Sequence, residues 1–188
     1  MTFRTALGGS LLVLAVGGTT VGCSAPEASH SLEPPSTAEP AVLYRPADAD
    51  TGWTVTHVRD GDTLVVQRAN HSQVIRLIGV DTPEIKDPRK PPECYGREAS
   101  RFTTRATLGT TVALEFDTIA GRYDRYHRTL AYVWLDEQQM LNQRLVRDGY
   151  AREYDYRDQP YTYRPQFRMA QNQATQQHNG LWGECSRN

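Results

Sequence analysis

At 188 residues with 38% hydrophobic content, the chain is long enough for one domain that buries a core of its own without a metal staple. A formal net charge of −1, from 21 basic and 22 acidic residues, excludes bulk positive charge as a basis for binding nucleic acid, so any such site has to come from local placement. Three cysteines with no CxxC spacing give no reason to expect a zinc site.

In chain order, residues 1–22 place Arg4 ahead of the apolar run "LLVLAVGG" and end in small residues, which is the pattern of an export signal. That run is too short to cross a bilayer with ease. "TVGC" at 20–23 resembles a lipobox, with Thr20 in place of the usual aliphatic residue, so lipid attachment at Cys23 is expected. The competing reading is ordinary cleavage nearby and release from the cell. Acyl chains on Cys23 would hold the protein on a membrane surface without a spanning helix.

Residues 23–50, rich in Pro, Ala, Ser and acids, predict a disordered tether, which leaves 51–188 as the folded domain. Without residues 1–50, which carry Arg4 and Arg45 against Glu27, Glu33, Glu39, Asp48 and Asp50, the remainder holds 19 bases and 17 acids, about +2. With Cys23 lipidated, Cys94 and Cys185 are left as a pair in an exported chain, where a disulfide is the default and two free thiols the alternative. Closing so long a loop is worth roughly 4 to 5 kcal/mol in the chain-entropy account.

Alternation in "WTVTHV" (53–58) predicts a strand, Asp60-Gly61 a tight hairpin turn, and "DTLVVQR" (62–68) the returning strand. "RANHSQ" turns the chain into a third strand, "VIRLIGV" (74–80), and Pro83, Pro88, Pro91 and Pro92 keep the next segment irregular. Ala99, Phe102 and Ala106 recur at helical spacing between Tyr95 and Leu108, ahead of Gly109. "TVALEFD" (111–117) and "TLAYVWL" (129–135) predict two more strands, joined by the charged loop "TIAGRYDRYHR". "QMLNQRLVRDG" (139–149) predicts a second helix with Leu141, Leu145 and Val146 on one face, and 165–178 a third, stopped by Gly180. The order β-β-β-α-β-β-α-α suits an α+β, mainly β class: a five-stranded Greek-key barrel of the oligonucleotide/oligosaccharide-binding (OB) type with three helices.

Some polar residues do not belong to such a scaffold on packing grounds. Arg76 interrupts a strand that is apolar on both faces, and a guanidinium there needs an anion or several acceptors. A structural salt bridge and a ligand-binding role are both open for it. Asp62 and Asp81 stand at the start of one antiparallel strand and the end of the next, which brings two like charges together. A hard cation resolves that repulsion: two carboxylates, the Thr82 carbonyl and waters form an oxygen-only shell suited to Ca²⁺. Glu84 is close enough to hold a water. Arg125 and Arg128, ahead of the fifth strand, join Arg76 in a set able to grip a phosphodiester and neutralise the charge that builds as water attacks phosphorus.

The motifs "DGDT" (60–63), "IRLIGVDTPE" (75–84), "YGREAS" (95–100), "DRYHRTLAYV" (124–133) and "LNQRLVRDGYAR" (141–152) together resemble the staphylococcal nuclease, or thermonuclease, family from about Trp53 to Trp182. The resemblance implies an OB-fold and Ca²⁺-dependent hydrolysis of DNA and RNA that leaves 3′-phosphates. It implies Asp62 and Asp81 as calcium ligands through their carboxylates and Thr82 through its carbonyl. Glu84 is implied as general base or water-positioning group, and Arg76 and Arg128 as phosphate-binding arginines. Arg125, Tyr126, Tyr154 and Tyr156 are further candidates for substrate contact, with base stacking assigned to Tyr154 or Tyr156 across an alignment gap. Surface aromatics covering the barrel are the alternative for those two. His127 departs from the family, which has glycine before the second arginine. A monomer is expected, exported and either anchored or released, and the rival function is a cell-surface OB module that binds nucleic acid or glycan without cutting.

Overall fold

The computed structural model describes residues 42–185. The export signal, Cys23 and the tether up to residue 41 lie outside the described residues. The last stretch assigned to the tether packs on the domain instead: Leu43 is buried, the Arg45 N–H donates to the Glu137 carbonyl at 2.8 Å, and strand β1 begins at Asp50. Leu43, the Arg45 N–H and the contacts of Asp50 with Trp53 and Arg68 hold that segment down among its prolines and acids.

Five strands close a barrel in the order β1 (Asp50–Asp60), β2 (Thr63–Arg68), β3 (His71–Leu77), β6 (Thr129–Trp134), β5 (Thr111–Glu115), with β5 pairing back onto β1. Trp53 and Val55 on β1, Leu64 and Val66 on β2, and Ile75 and Leu77 on β3 alternate inward, as the period of two requires, and all are buried. The β3–β6 pair is parallel, with Arg76 opposite Leu130. On the other side of β3, Arg76 stands opposite Thr63. Trp134, Tyr132 and Phe167 are the largest side chains shut inside.

Strand β3 ends at Leu77, three residues before the sequence pattern does. Gly79 has φ 75°, in the left-handed region, so the chain turns there and resumes as β4 (Val80–Asp81). That two-residue strand pairs with β7 (Arg152–Glu153) in a small separate sheet, too short for alternation in the sequence to reveal. Asn142 secures the break: its Nδ2 donates to the Ile78 and Ala131 carbonyls at 2.9 and 3.3 Å, and its Oδ1 accepts the Val133 N–H at 2.9 Å.

Helix α1 (Gly96–Thr107) buries Gly96, Ala99, Thr103 and Thr107, and Phe102 and Ala106 pack partly against the core. Helix α2 (Leu141–Arg147) buries the expected Leu141, Leu145 and Val146. Helix α3 (Arg164–Gln176) buries Phe167, Ala170 and Ala174. A short α4 (Leu181–Glu184), which the sequence pattern does not predict, comes after Gly180. Cys94 and Cys185 are joined by a disulfide, which ties the end of the described chain to the segment just before α1.

Candidate active site

The hairpin between β1 and β2 turns on Gly61 and Asp62, since Asp60 pairs with Thr63. Gly61 is not in the left-handed region, so its lack of a side chain answers a packing need: a Cβ there would lie 2.7 to 2.9 Å from the Thr82 side chain. Asp62 therefore sits in the turn itself, and its carboxylate is buried against the β3–β4 segment. Its Oδ2 accepts the Thr82 N–H at 3.2 Å, and its Oδ1 accepts the Thr63 hydroxyl at 2.9 Å.

Arg76 reaches from β3 into the same place. Its Nη1 donates to the Leu77 and Val80 carbonyls at 2.8 and 2.6 Å, which holds the guanidinium across the β3–β4 break. Its Nη2 lies 3.2 Å from Asp62 Oδ2 and 3.1 Å from Asp81 Oδ1. The two carboxylates expected to converge thus meet at one nitrogen. Asp81 is the more open of the pair: its side chain is 53% exposed against 10% for Asp62.

One positive charge does not balance the acids around it. Burial, together with the charges of Asp62 and Glu84, pushes the Asp60 carboxyl up to about 7. Burial also raises Asp81, against the pull of Arg76 and helped by the charges of Asp62, Glu93 and Glu84. Asp60, which in sequence reads as turn chemistry alone, is thus a member of the acidic cluster. Among the described residues, no three His, Cys, Asp or Glu side chains are grouped as a ready-made metal cage. The oxygen donors Asp62 and Asp81, the absence of histidine and cysteine from the residues lining the cleft, and the gathering of several carboxylates around one arginine fit a hard cation such as Ca²⁺.

Arg128 approaches from the start of β6. Asp124 fixes it twice, accepting its backbone N–H at 2.9 Å and its Nε–H at 2.7 Å, and Arg128 Nη1 lies 3.3 Å from the Thr63 hydroxyl. Although burial works against the charge, hydrogen bonds from the Arg128 backbone, the Arg128 side chain and the Tyr126 N–H hold the Asp124 carboxyl below the usual carboxylate range. Thr63 therefore links Arg128 to Asp62. His127, at the position of the family's glycine, has φ 60° and accepts the strain of a left-handed residue.

These groups line one cleft of about 670 Å³. Asp62, Arg76, Asp81, Thr82, Glu84 and Arg128 all border it, as do Arg125, Tyr126, Tyr154 and Tyr156. Arg125 donates to the Tyr126 hydroxyl and lies over its ring, with 4.6 Å from guanidinium carbon to ring centre. Tyr126, Tyr154 and Tyr156 are exposed at the rim, together with Tyr123, which sequence reasoning does not single out. Nor does it single out Thr63, Asp124 or Glu93. For Asp124 a signal is present, since it opens the motif "DRYHRTLAYV" and stands four residues before Arg128.

Residues 74–184 match the family described as staphylococcal nuclease homologue. The chain is 43% identical to the thermonuclease of Staphylococcus hyicus over 130 residues, 69% of this chain and 75% of that protein. It is 38% identical to the thermonuclease of Staphylococcus intermedius with the same coverage. It is 33% identical to endonuclease YncB of Bacillus subtilis over 132 residues, 70% of this chain and 61% of that one.

Proposed function

This chain belongs to the staphylococcal nuclease family, a phosphodiester-hydrolysing nuclease, and we propose that it cuts DNA and RNA with Ca²⁺ and leaves 3′-phosphate products. The observation that carries the reading is the meeting of Asp62 and Asp81 at Arg76, in one cleft with Glu84 and Arg128. Asp62, Asp81 and the Thr82 carbonyl would hold the ion. Bound there, Ca²⁺ supplies Lewis-acid polarisation of the scissile phosphate.

Arg76 and Arg128 supply forked donors to the phosphate oxygens, and each is already aimed by fixed partners: backbone carbonyls for Arg76, Asp124 for Arg128. Such preorganisation is what stabilises charge growing on phosphorus without a reorganisation cost at the moment of reaction. Glu84 accepts the Lys86 N–H on Oε1 at 2.6 Å and shares a hydrogen bond with the Asp60 carboxyl, which together orient its carboxylate at the edge of the cleft where a water would sit. The water loses its proton towards Glu84 as its oxygen attacks phosphorus, and the bond to the 5′ oxygen breaks with its electron pair going to that oxygen, which takes up a proton from solvent to leave as the 5′ hydroxyl. The exposed tyrosines at the rim suit stacking of a splayed base, so single strands and frayed duplex should be preferred.

We propose further that the protein is exported, held by lipid on Cys23 or released. Arg4, the apolar run after it and "TVGC" support this, as does a disulfide, which persists in oxidising compartments. The test of function follows labelled single-stranded DNA with calcium and with chelator, for the wild type, Glu84→Gln and Arg128→Ala. Cutting should require calcium and drop about 10²- to 10³-fold in kcat in each variant. A folded protein that binds calcium and DNA but does not cut would instead be a binding module.

A further inference from the structure

Glu84 opens a loop that closes on Glu93, nine positions along. The Glu84 N–H donates to Glu93 Oε2 at 3.1 Å, and the Glu93 N–H donates back to the Glu84 carbonyl at 2.8 Å. Between them, the largely exposed segment from Lys86 to Pro92 bonds locally: Asp87 with Arg89, and the Lys90 N–H to the Asp87 carbonyl. The clasp at the base therefore holds the backbone of Glu84 on both its N–H and its carbonyl, while the loop beyond it bonds locally.

Beyond the clasp the chain is held hard. Cys94, the next residue, is bonded to Cys185 beyond α4. The Gly96 N–H donates to the Glu93 carbonyl at 3.0 Å. A Cβ on Gly96 would come within 2.5 Å of Ile85 Cγ2 and 2.7 Å of the Pro83 carbonyl, so the start of α1 is pressed against the residues on either side of Glu84. Glu93 also borders the cleft.

We infer that Glu93 is a positioning residue for Glu84, and that the Cys94–Cys185 bridge holds Glu93 in the place where it can act. The inference rests on Glu84 as the water-holding carboxylate. The amide donor of Glu84 is fixed by an oxygen acceptor on a side chain whose own backbone is pinned through the bridge to α4. An amide oxygen serves as well as a carboxylate in that contact, so the role needs an acceptor and not a charge.

The test uses the whole protein with calcium and compares the wild type with Glu93→Ala, Glu93→Gln, Cys94→Ser with Cys185→Ser, and the combination of Glu93→Ala with both serines. Glu93→Ala should lower kcat about 10-fold while KM shifts less than about 2-fold, the mark of a misplaced catalytic group on an intact binding surface. Glu93→Gln should stay within about 3-fold of wild type. Below its melting temperature the bridge-free variant should lose a similar factor, and adding Glu93→Ala to it should cost little more, because both changes act through one contact. Exchange of the Glu84 amide proton, followed in the absence of substrate, should accelerate about 10-fold or more in Glu93→Ala and in the bridge-free variant. That readout needs no turnover, so it separates this inference from the nuclease reading itself. Unchanged exchange and kcat in Glu93→Ala, a Gln variant as impaired as the Ala variant, or losses that multiply independently would each overturn it.

Discussion

Gly61 and Thr82 compete for one small space, and the outcome sets the metal-side geometry. The Thr82 side chain fills the room that a Cβ on residue 61 would need, and the Thr82 N–H holds Asp62 Oδ2 at 3.2 Å. Gly61→Ala should therefore displace Thr82 and loosen Asp62, at a cost of about 1–3 kcal/mol in stability. It should also cost about 100-fold in kcat/KM, since small misplacements at a reacting centre are amplified. Urea unfolding and steady-state kinetics on one DNA substrate check the two halves, and a variant as stable and active as wild type would refute the packing argument. At this scale the sequence is legible where a residue type is out of place: an arginine in a buried strand, and acids at the join of two strands. It is not legible where a polar residue looks at home in a loop. Glu93 reads as an ordinary loop acid, and only the folded chain shows that it holds Glu84, while Asp124 offers no more than its spacing of four from Arg128 to hint at the pair the fold makes.

The elements around the site are joined by a side chain that helical periodicity does not mark. Asn142 lies on α2 beside Leu141, fully buried, and its amide serves the Ile78 and Ala131 carbonyls and the Val133 N–H. The α2 face is readable as Leu141, Leu145 and Val146, whereas an asparagine between apolar positions gives no sign of which backbone it satisfies. The same contact explains why β3 stops early. An apolar run through residue 80 reads as one strand, yet Gly79 breaks it and Asn142 holds the freed Ile78 carbonyl. Asn142→Ala should remove the side-chain partner of the Ile78 carbonyl and the Val133 N–H, while the Ala131 carbonyl keeps the Ile78 N–H at 3.1 Å, and cost about 2–4 kcal/mol, seen as a lower urea midpoint with an unchanged m-value. Because Asp81 and Thr82 come directly after the break, the protein that remains folded should also show a reduced kcat. A variant that loses stability alone would show that the break keeps its shape without Asn142, through Gly79 and the Arg76 bonds to the Leu77 and Val80 carbonyls.

Across the whole molecule, Asp117 joins the barrel to the segment leading into α3. It is 5% exposed and accepts the Tyr132 hydroxyl at 2.6 Å, the Thr162 N–H at 2.7 Å and the Ile119 N–H at 2.7 Å. In sequence it is the last residue of an expected strand, and nothing local says that its partners lie on β6 and ahead of α3. Burial alone would raise its carboxyl, but the hydrogen bonds from Thr162, Tyr132, Ile119 and Ala120 hold it below the ordinary value. The unfolded chain therefore binds the proton more readily than the folded one. The stability from this group is fully present above an unfolded value of about 3.9 and is lost as pH falls through the lower folded value. Asp117→Asn removes the titration along with the charge-assisted bonds, and at pH 7 it should cost about 1.5–3 kcal/mol. The gap between wild type and variant in urea midpoint should then narrow steadily below about pH 4, as the wild-type carboxyl takes up its proton. A gap that stays constant from pH 7 to pH 3 would mean that the folded carboxyl does not hold its charge below the ordinary value as the hydrogen bonds imply.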